Sequence, residues 1–243
     1  MPMRRLILVL PFILAACVVV GPPPTTQPPP QQTVTAQPRL DSATAAANFE
    51  RVVNRMEPVV TQECRARAPG RRCDFLVVVD TSPGLPPNAF QTLDRDGRPV
   101  IGFTLALLAD ARNVDELAFI FGHEAGHHIA GHIPRRTEQA RTGALIAGAL
   151  AALTGADDIT VERVAGIGGE IAARRFAPAF ELEADEMGTV LAWRAGFDPE
   201  RGAQFFSRIP DPGNAFLATH PPNAQRQGVV RDTMARLRAG GRV

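Results

Sequence analysis

The stretch FGHEAGHHIAGH, residues 121–132, holds four of the five histidines in a chain of 243 residues. Within it, His123-Glu124-Ala125-Gly126-His127 reads H-E-x-x-H. Upstream, Asn113 with Glu116 three residues later has the form of a capping box, and Leu117 and Ile120 follow at helical spacing. Gly131 and then Pro134 mark a stop. The pattern predicts a helix from Asn113 to about Gly131. Residues four apart on a helix differ by about 40° around the axis, so His123 and His127 project together. Two imidazoles on one face can share one tetrahedral zinc ion. Glu124, beside them, is placed to take a proton from an attacking water. His128 and His132 are also four apart, but Ile129 follows His128 where a base would stand. They point to another side of the helix and are expected to support the site or pack at the helix end.

Two imidazoles need a third partner. The metzincin pattern requires Gly at 130 and His at 133, and the chain has Ala130 and Ile133. From Gln139 to Ala156 there is no carboxylate. The next acidic cluster is FELEADEMG, residues 180–188, where Glu181 and Asp185 lie four apart on an otherwise apolar helix. Glu181 can reach the metal, and Asp185, one turn on, can accept a hydrogen bond from a ligand imidazole. Glu183 and Glu186 are expected to point elsewhere into solvent.

Working outward, Asp41 or Ser42 caps a helix carrying Phe49, Val52, Val53 and Met56. DFLVVVD, residues 74–80, reads as a buried strand. Asp96-Gly97 between two extended runs predicts a hairpin, and Pro99 suggests that its second strand is an edge. Residues 140–153 form an apolar helix too short to span a bilayer, docked in the core or on the surface. Two further helices are expected over 161–173 and 179–195, then one started by Asp198-Pro199 with Phe205, Phe206 and Ile209 buried.

The N-terminus is a separate matter. MPMRRLILVLPFILAAC has a basic start, an apolar run and small residues before Cys17. That is a secretory-signal layout, and LAAC resembles the lipobox of bacterial lipoproteins, lipidated on the cysteine. The expected division is a signal peptide over 1–16, a lipidated Cys17 with a Pro/Gln-rich tether over 17–40, and one folded domain over 41–243. Val18 after the cysteine is compatible with the periplasmic face of an outer membrane. Export favours a disulfide between Cys64 and Cys73 over free thiols. The formal charge of +1 and the absence of a basic stripe argue against a nucleic-acid partner.

H-E-x-x-H followed by ELEAD, with PNAF upstream, resembles the HtpX/Oma-type zinc metallopeptidases (metallopeptidase family forty-eight, gluzincins). DELAFIFGHEAGH, RAGFDPE and THPPNAQR agree, and the likeness covers about residues 48–232. It implies a mostly α, α+β gluzincin-type domain with a small sheet or hairpin beside the active-site helix. It implies one Zn2+ per chain on His123, His127 and Glu181, with Glu124 as general base and Asp185 in support. His220 and Arg226 look like the family's pair near the active site. His220 would either stabilise an oxyanion or occupy the open zinc position at rest.

The polar QTLDRDGRP segment departs from relatives, no Tyr is present to donate to an oxyanion, and no long hydrophobic spans occur as in the integral-membrane members. The expected function is a lipid-anchored zinc metalloendopeptidase of the bacterial cell envelope. Its substrates would be misfolded or unassembled envelope proteins, lying extended along an edge strand near Val100–Thr104. The competing class is a non-catalytic, zinc-containing assembly or chaperone-like lipoprotein.

Overall fold

Asp41 caps the first helix, its carboxylate accepting from the Thr44 N–H, and α1 runs Ser42–Arg67. The computed structural model describes residues 40–211 and 221–241. Then come β1 (Leu76–Asp80), β2 (Ala89–Leu93), β3 (Pro99–Thr104), α2 (Leu105–Asp110), α3 (Val114–Ala130) and α4 (His132–Leu153). α5 (Asp158–Arg194), α6 (Pro199–Gly202), a 3-10 turn (Ala203–Ser207) and α7 (Asn223–Arg238) complete the order. The architecture is α+β and mostly α. The chain divides into Met1–Gln37 and Pro38–Val243. The expected signal peptide, Cys17 and nearly all of the expected tether lie outside the described residues.

The sheet order is β1-β3-β2, with β1 parallel and β2 antiparallel to β3. β3 is therefore the central strand, and the expected edge assignment is wrong. Pro99 occupies its first position, opposite Leu93, where a missing N–H costs little. All six β3 residues are buried, whereas β1, expected to be buried, is half-buried as an edge strand. Asp94 closes the β2–β3 hairpin: its side chain accepts from the N–H groups of Asp96 and Arg98, and Gly97 adopts φ 75°.

Ile101 and Phe103 of β3 pack against Val52, Met56 and Val60 of α1 and against Leu117 and Phe121 of α3. These aliphatic and aromatic contacts lock α3 to the sheet, and the burial is hydrophobic in origin. On its other side α3 meets α5. Gly122 and Gly188 face each other so closely that a Cβ on Gly188 would sit 2.8 Å from the His123 nitrogen.

α3 ends where Gly131 takes φ 72° and its N–H bonds to the His127 and His128 carbonyls. α4 begins immediately after it. Asn113 caps the start of α3 as expected, but Glu116 reaches back to the Arg112 N–H instead of Asn113's own. Arg208 clamps the same carboxylate with bonds of 2.5 and 2.8 Å.

One expectation fails downstream, and another resolves to one of its alternatives. The helices expected over 161–173 and 179–195 are one, α5, with Pro178 inside it. Tight Gly and Ala contacts with α4 in its first half, and with α3 in its second, hold the helix across the proline. The apolar run of α4 is not core. α4 meets α5 through Gly143 and Gly148 and leaves Leu145, Ile146, Leu150 and Leu153 exposed. Among the described residues, no helix is long and apolar enough to cross a membrane.

Candidate metal centre

Helix α3 presents His123 and His127 on one face, and α5 brings Glu181 against them. The two Nε2 atoms are 3.0 Å apart. Glu181 Oε2 lies 3.4 Å from His123 Nε2, and Oε1 lies 3.5 Å from His127 Nε2. Ligand atoms held ~2.0–2.1 Å from a tetrahedral ion are separated by about 3.3 Å, so these three donors form one face of such a polyhedron. Two imidazoles and a carboxylate also suit a first-row dication better than calcium, which takes 6–8 oxygens. The fourth direction opens into a cavity of about 370 Å³ lined by Glu124, Asn88, Ala89, Ile120 and Phe206.

Each imidazole has an outer partner on its Nδ1. His123 Nδ1 lies 2.9 Å from Asp185 Oδ1. The carboxylate accepts, so Nδ1 carries a proton and Nε2 is the nitrogen left to bind a cation in place of its own proton. Asp185 is fully buried, and Arg226 grips it with Nε and Nη2, both at 2.7 Å. The Arg226 guanidinium in turn lies 4.0 Å over the Phe206 ring and 3.6 Å from Glu181. This bidentate clamp explains why an arginine is buried here.

His127 Nδ1 lies 2.7 Å from His132 Nδ1, and His132 Nε2 lies 3.2 Å from Glu183. Arg135 donates to the same Glu183 oxygen at 2.7 Å. His132 stacks on Phe180, with centroids 4.5 Å apart and 12° between planes. Glu183 and Glu186 reach solvent as expected, but Glu183 is also tied into this chain of bonds and Glu186 pairs with Arg236. The two carboxylates escape a sequence reading because their partners sit on other helices.

Burial opposes charge on both ligand imidazoles. For His123 the hydrogen-bonded carboxylates of Asp185 and Glu181 outweigh burial and push it up to about 10. His127, buried beside His123, is pushed down to about 3. The protein groups alone thus favour one positive charge at the point where a cation would sit.

Cys64 and Cys73 form a disulfide that closes the loop after α1. Within that loop the Arg72 carbonyl accepts from His128 Nε2 at 2.7 Å, and Phe75 meets the His128 ring edge-on. His128 is a strut between α3 and the loop. His220 lies outside the described residues. Arg226, expected as its neighbour near the active site, acts on Asp185.

The chain matches a family described as Peptidase family M48 over residues 46–233. A protein of Vibrio cholerae serotype O1 that bears, provisionally, the name beta-barrel assembly-enhancing protease is 31% identical in a 145-residue alignment. That alignment covers 54% of this chain and 29% of that protein. The chain therefore spans less than a third of this relative.

Proposed function

The chain belongs to Peptidase family M48, and on that premise we propose that it is a zinc-dependent metalloendopeptidase acting on polypeptides of the bacterial envelope. The observation that carries this reading is the triangle of His123, His127 and Glu181, with Glu124 lining the same cavity. A zinc ion held there would supply Lewis acidity, polarising the scissile carbonyl and lowering the pKa of a water.

The chain's own residues do the rest. His123, His127 and Glu181 would hold the ion, and Asp185, clamped by Arg226, fixes the His123 ring. Glu124 takes the proton from the attacking water and passes it to the leaving amine, as a general base that becomes a general acid. The substrate backbone lies along the outer edge of β2, whose other edge pairs with β3 and whose first residue, Ala89, lines the cavity. An added strand there would satisfy main-chain groups on both sides and set the carbonyl over the centre. His220 would act on the oxyanion or cover the centre at rest.

We further propose residues 1–16 as signal peptide, Cys17 as the lipidated residue, 17–40 as tether and 41–243 as the peptidase domain. The periplasmic face of an outer membrane is the corresponding site of action. The name of the Vibrio cholerae relative supports substrates among unassembled envelope proteins.

The test is mass spectrometry of fragments released from an unfolded protein substrate by the soluble domain. Internal cleavage that stops on chelation and returns best with zinc is the expected result. Intact substrate under all three conditions would leave the non-catalytic assembly or chaperone-like role instead.

A further inference from the structure

We propose that a second cavity, at the far end of β2, is a substrate subsite that selects a large apolar side chain, aromatic in preference. The proposal rests on the peptidase reading above. Side chains alternate along a strand, so Ala89, Gln91 and Leu93 share one face of β2. Ala89 lines the cavity of the metal centre, while Gln91 and Leu93 line a separate cavity of about 260 Å³. His127 lines both. The face of β2 toward α3 is thus a trough with a cavity at each end and a candidate metal ligand between them.

The second cavity has the chemistry of a side-chain site. At about 260 Å³ it falls below the ~300–1,000 Å³ of whole-ligand pockets and suits one residue. Leu93 and Ile133 line it while remaining 40% and 38% exposed, so the cavity offers open apolar surface to an occupant. Gly97 and Gly131 line it without side chains to fill it. A Cβ on Gly131 would overlap the Arg71 guanidinium, so that planar cation lies against the cavity wall. A guanidinium there favours the face of an aromatic ring.

Arg72 is committed elsewhere, to Asp74 and to the Asp96 carbonyl. The wall is also firmly built. The Cys64–Cys73 disulfide, the His128 bond to the Arg72 carbonyl and the Arg98 bond to the Asp74 carbonyl at 2.6 Å tie it to α1, α3 and the hairpin.

Geometry also sets the spacing. A peptide paired with β2 presents same-face side chains at every second residue, and Ala89 to Leu93 spans ~13 Å at about 3.3 Å per residue. The two selected residues are therefore two or four apart, with the scissile bond between them.

The experiment measures binding of fluorescent extended peptides to zinc-loaded Glu124→Gln protein, with Phe placed at each position of an Ala-rich frame. Two preferred positions at even spacing are expected. Leu93→Asp and Ile133→Asp should each abolish the preference at one of them, roughly tenfold or more in Kd, and leave the other unchanged. Arg71→Ala should reduce the Phe-over-Leu preference at that same position. No preferred position, or preferred positions that neither aspartate variant alters, overturns the subsite. Binding is read without turnover, so loss of cleavage by the wild type would strike the peptidase reading and leave this result legible.

Discussion

Replacing Gly188 by Ala tests how the third ligand is placed. Gly188 sits on α5 two turns beyond Glu181, against Gly122 and His123 of α3. A Cβ there would meet the His123 nitrogen at 2.8 Å, where ordinary contact begins at 3.4 Å, so the helices must part by about 0.6 Å. Such overpacking costs ~1–3 kcal/mol, against a gain of up to ~1 kcal/mol from replacing Gly in a helix. The net loss is about 1–2 kcal/mol.

Gly166, on the same helix, faces open space, and Gly166→Ala should gain ~0.5–1 kcal/mol. The two variants should differ by roughly 3–12 °C in Tm for a domain of this size. The site should register the difference as well. Glu181 now stands 3.4–3.5 Å from the two Nε2 atoms. A retreat of about 0.6 Å exceeds the ±0.2 Å that ligand distances tolerate, so zinc affinity should fall at least tenfold. Thermal melts and competition with a chromogenic chelator read the two effects. If Gly188→Ala melts and binds zinc like Gly166→Ala, close helix approach does not position Glu181.

Arg226→Leu leaves the buried Asp185 carboxylate with His123 as its remaining side-chain partner among the described residues, and should cost about 3 kcal/mol in urea unfolding. Arg226→Lys keeps the charge but loses the two-point grip and should fall between. His132→Phe retains stacking on Phe180 but removes the acceptor for His127 Nδ1–H. Zinc affinity by chelator competition should drop ~10–100-fold with little change in Tm of the apo protein. His128 is held below the ordinary imidazole value of 6.5 by burial, partly offset by its bond to the Arg72 carbonyl. The unfolded chain then binds the proton more readily, so this stability is complete above about pH 6.5 and is lost as pH falls below it, at up to ~1.4 kcal/mol per unit. His128→Gln should flatten the dependence of stability on pH in that acidic window, measured by denaturant titration at several pH values.

The site was more legible than the fold around it. H-E-x-x-H with an Asn cap and a closing Gly131 is a local pattern, because helical geometry alone brings His123 and His127 together. Glu181 was reachable because the chain lacks any carboxylate from Gln139 to Ala156. Partnerships made across helices left no local mark. Glu183 with His132 and Arg135, and Asp185 with Arg226, depend on how α4, α5 and α7 pack.

Proline is tolerated twice where a local rule disfavours it, and at Pro99 that rule misled the reading. Pro99 opens a central strand and Pro178 lies inside one long helix. In both, tertiary neighbours outweigh a local rule about a missing donor. The apolar run of α4 left core and surface docking equally open, and it is the Gly and Ala of that helix that make the contact with α5.

The most direct measurement is peptide hydrolysis by wild type and Glu124→Gln at matched zinc content. One zinc per chain in both proteins, with hydrolysis lost by a factor of at least ~100 in the variant, is the predicted result. Equal rates at equal zinc would contradict the assignment of Glu124 as the general base, and with it the chemistry assigned to the His123, His127 and Glu181 centre.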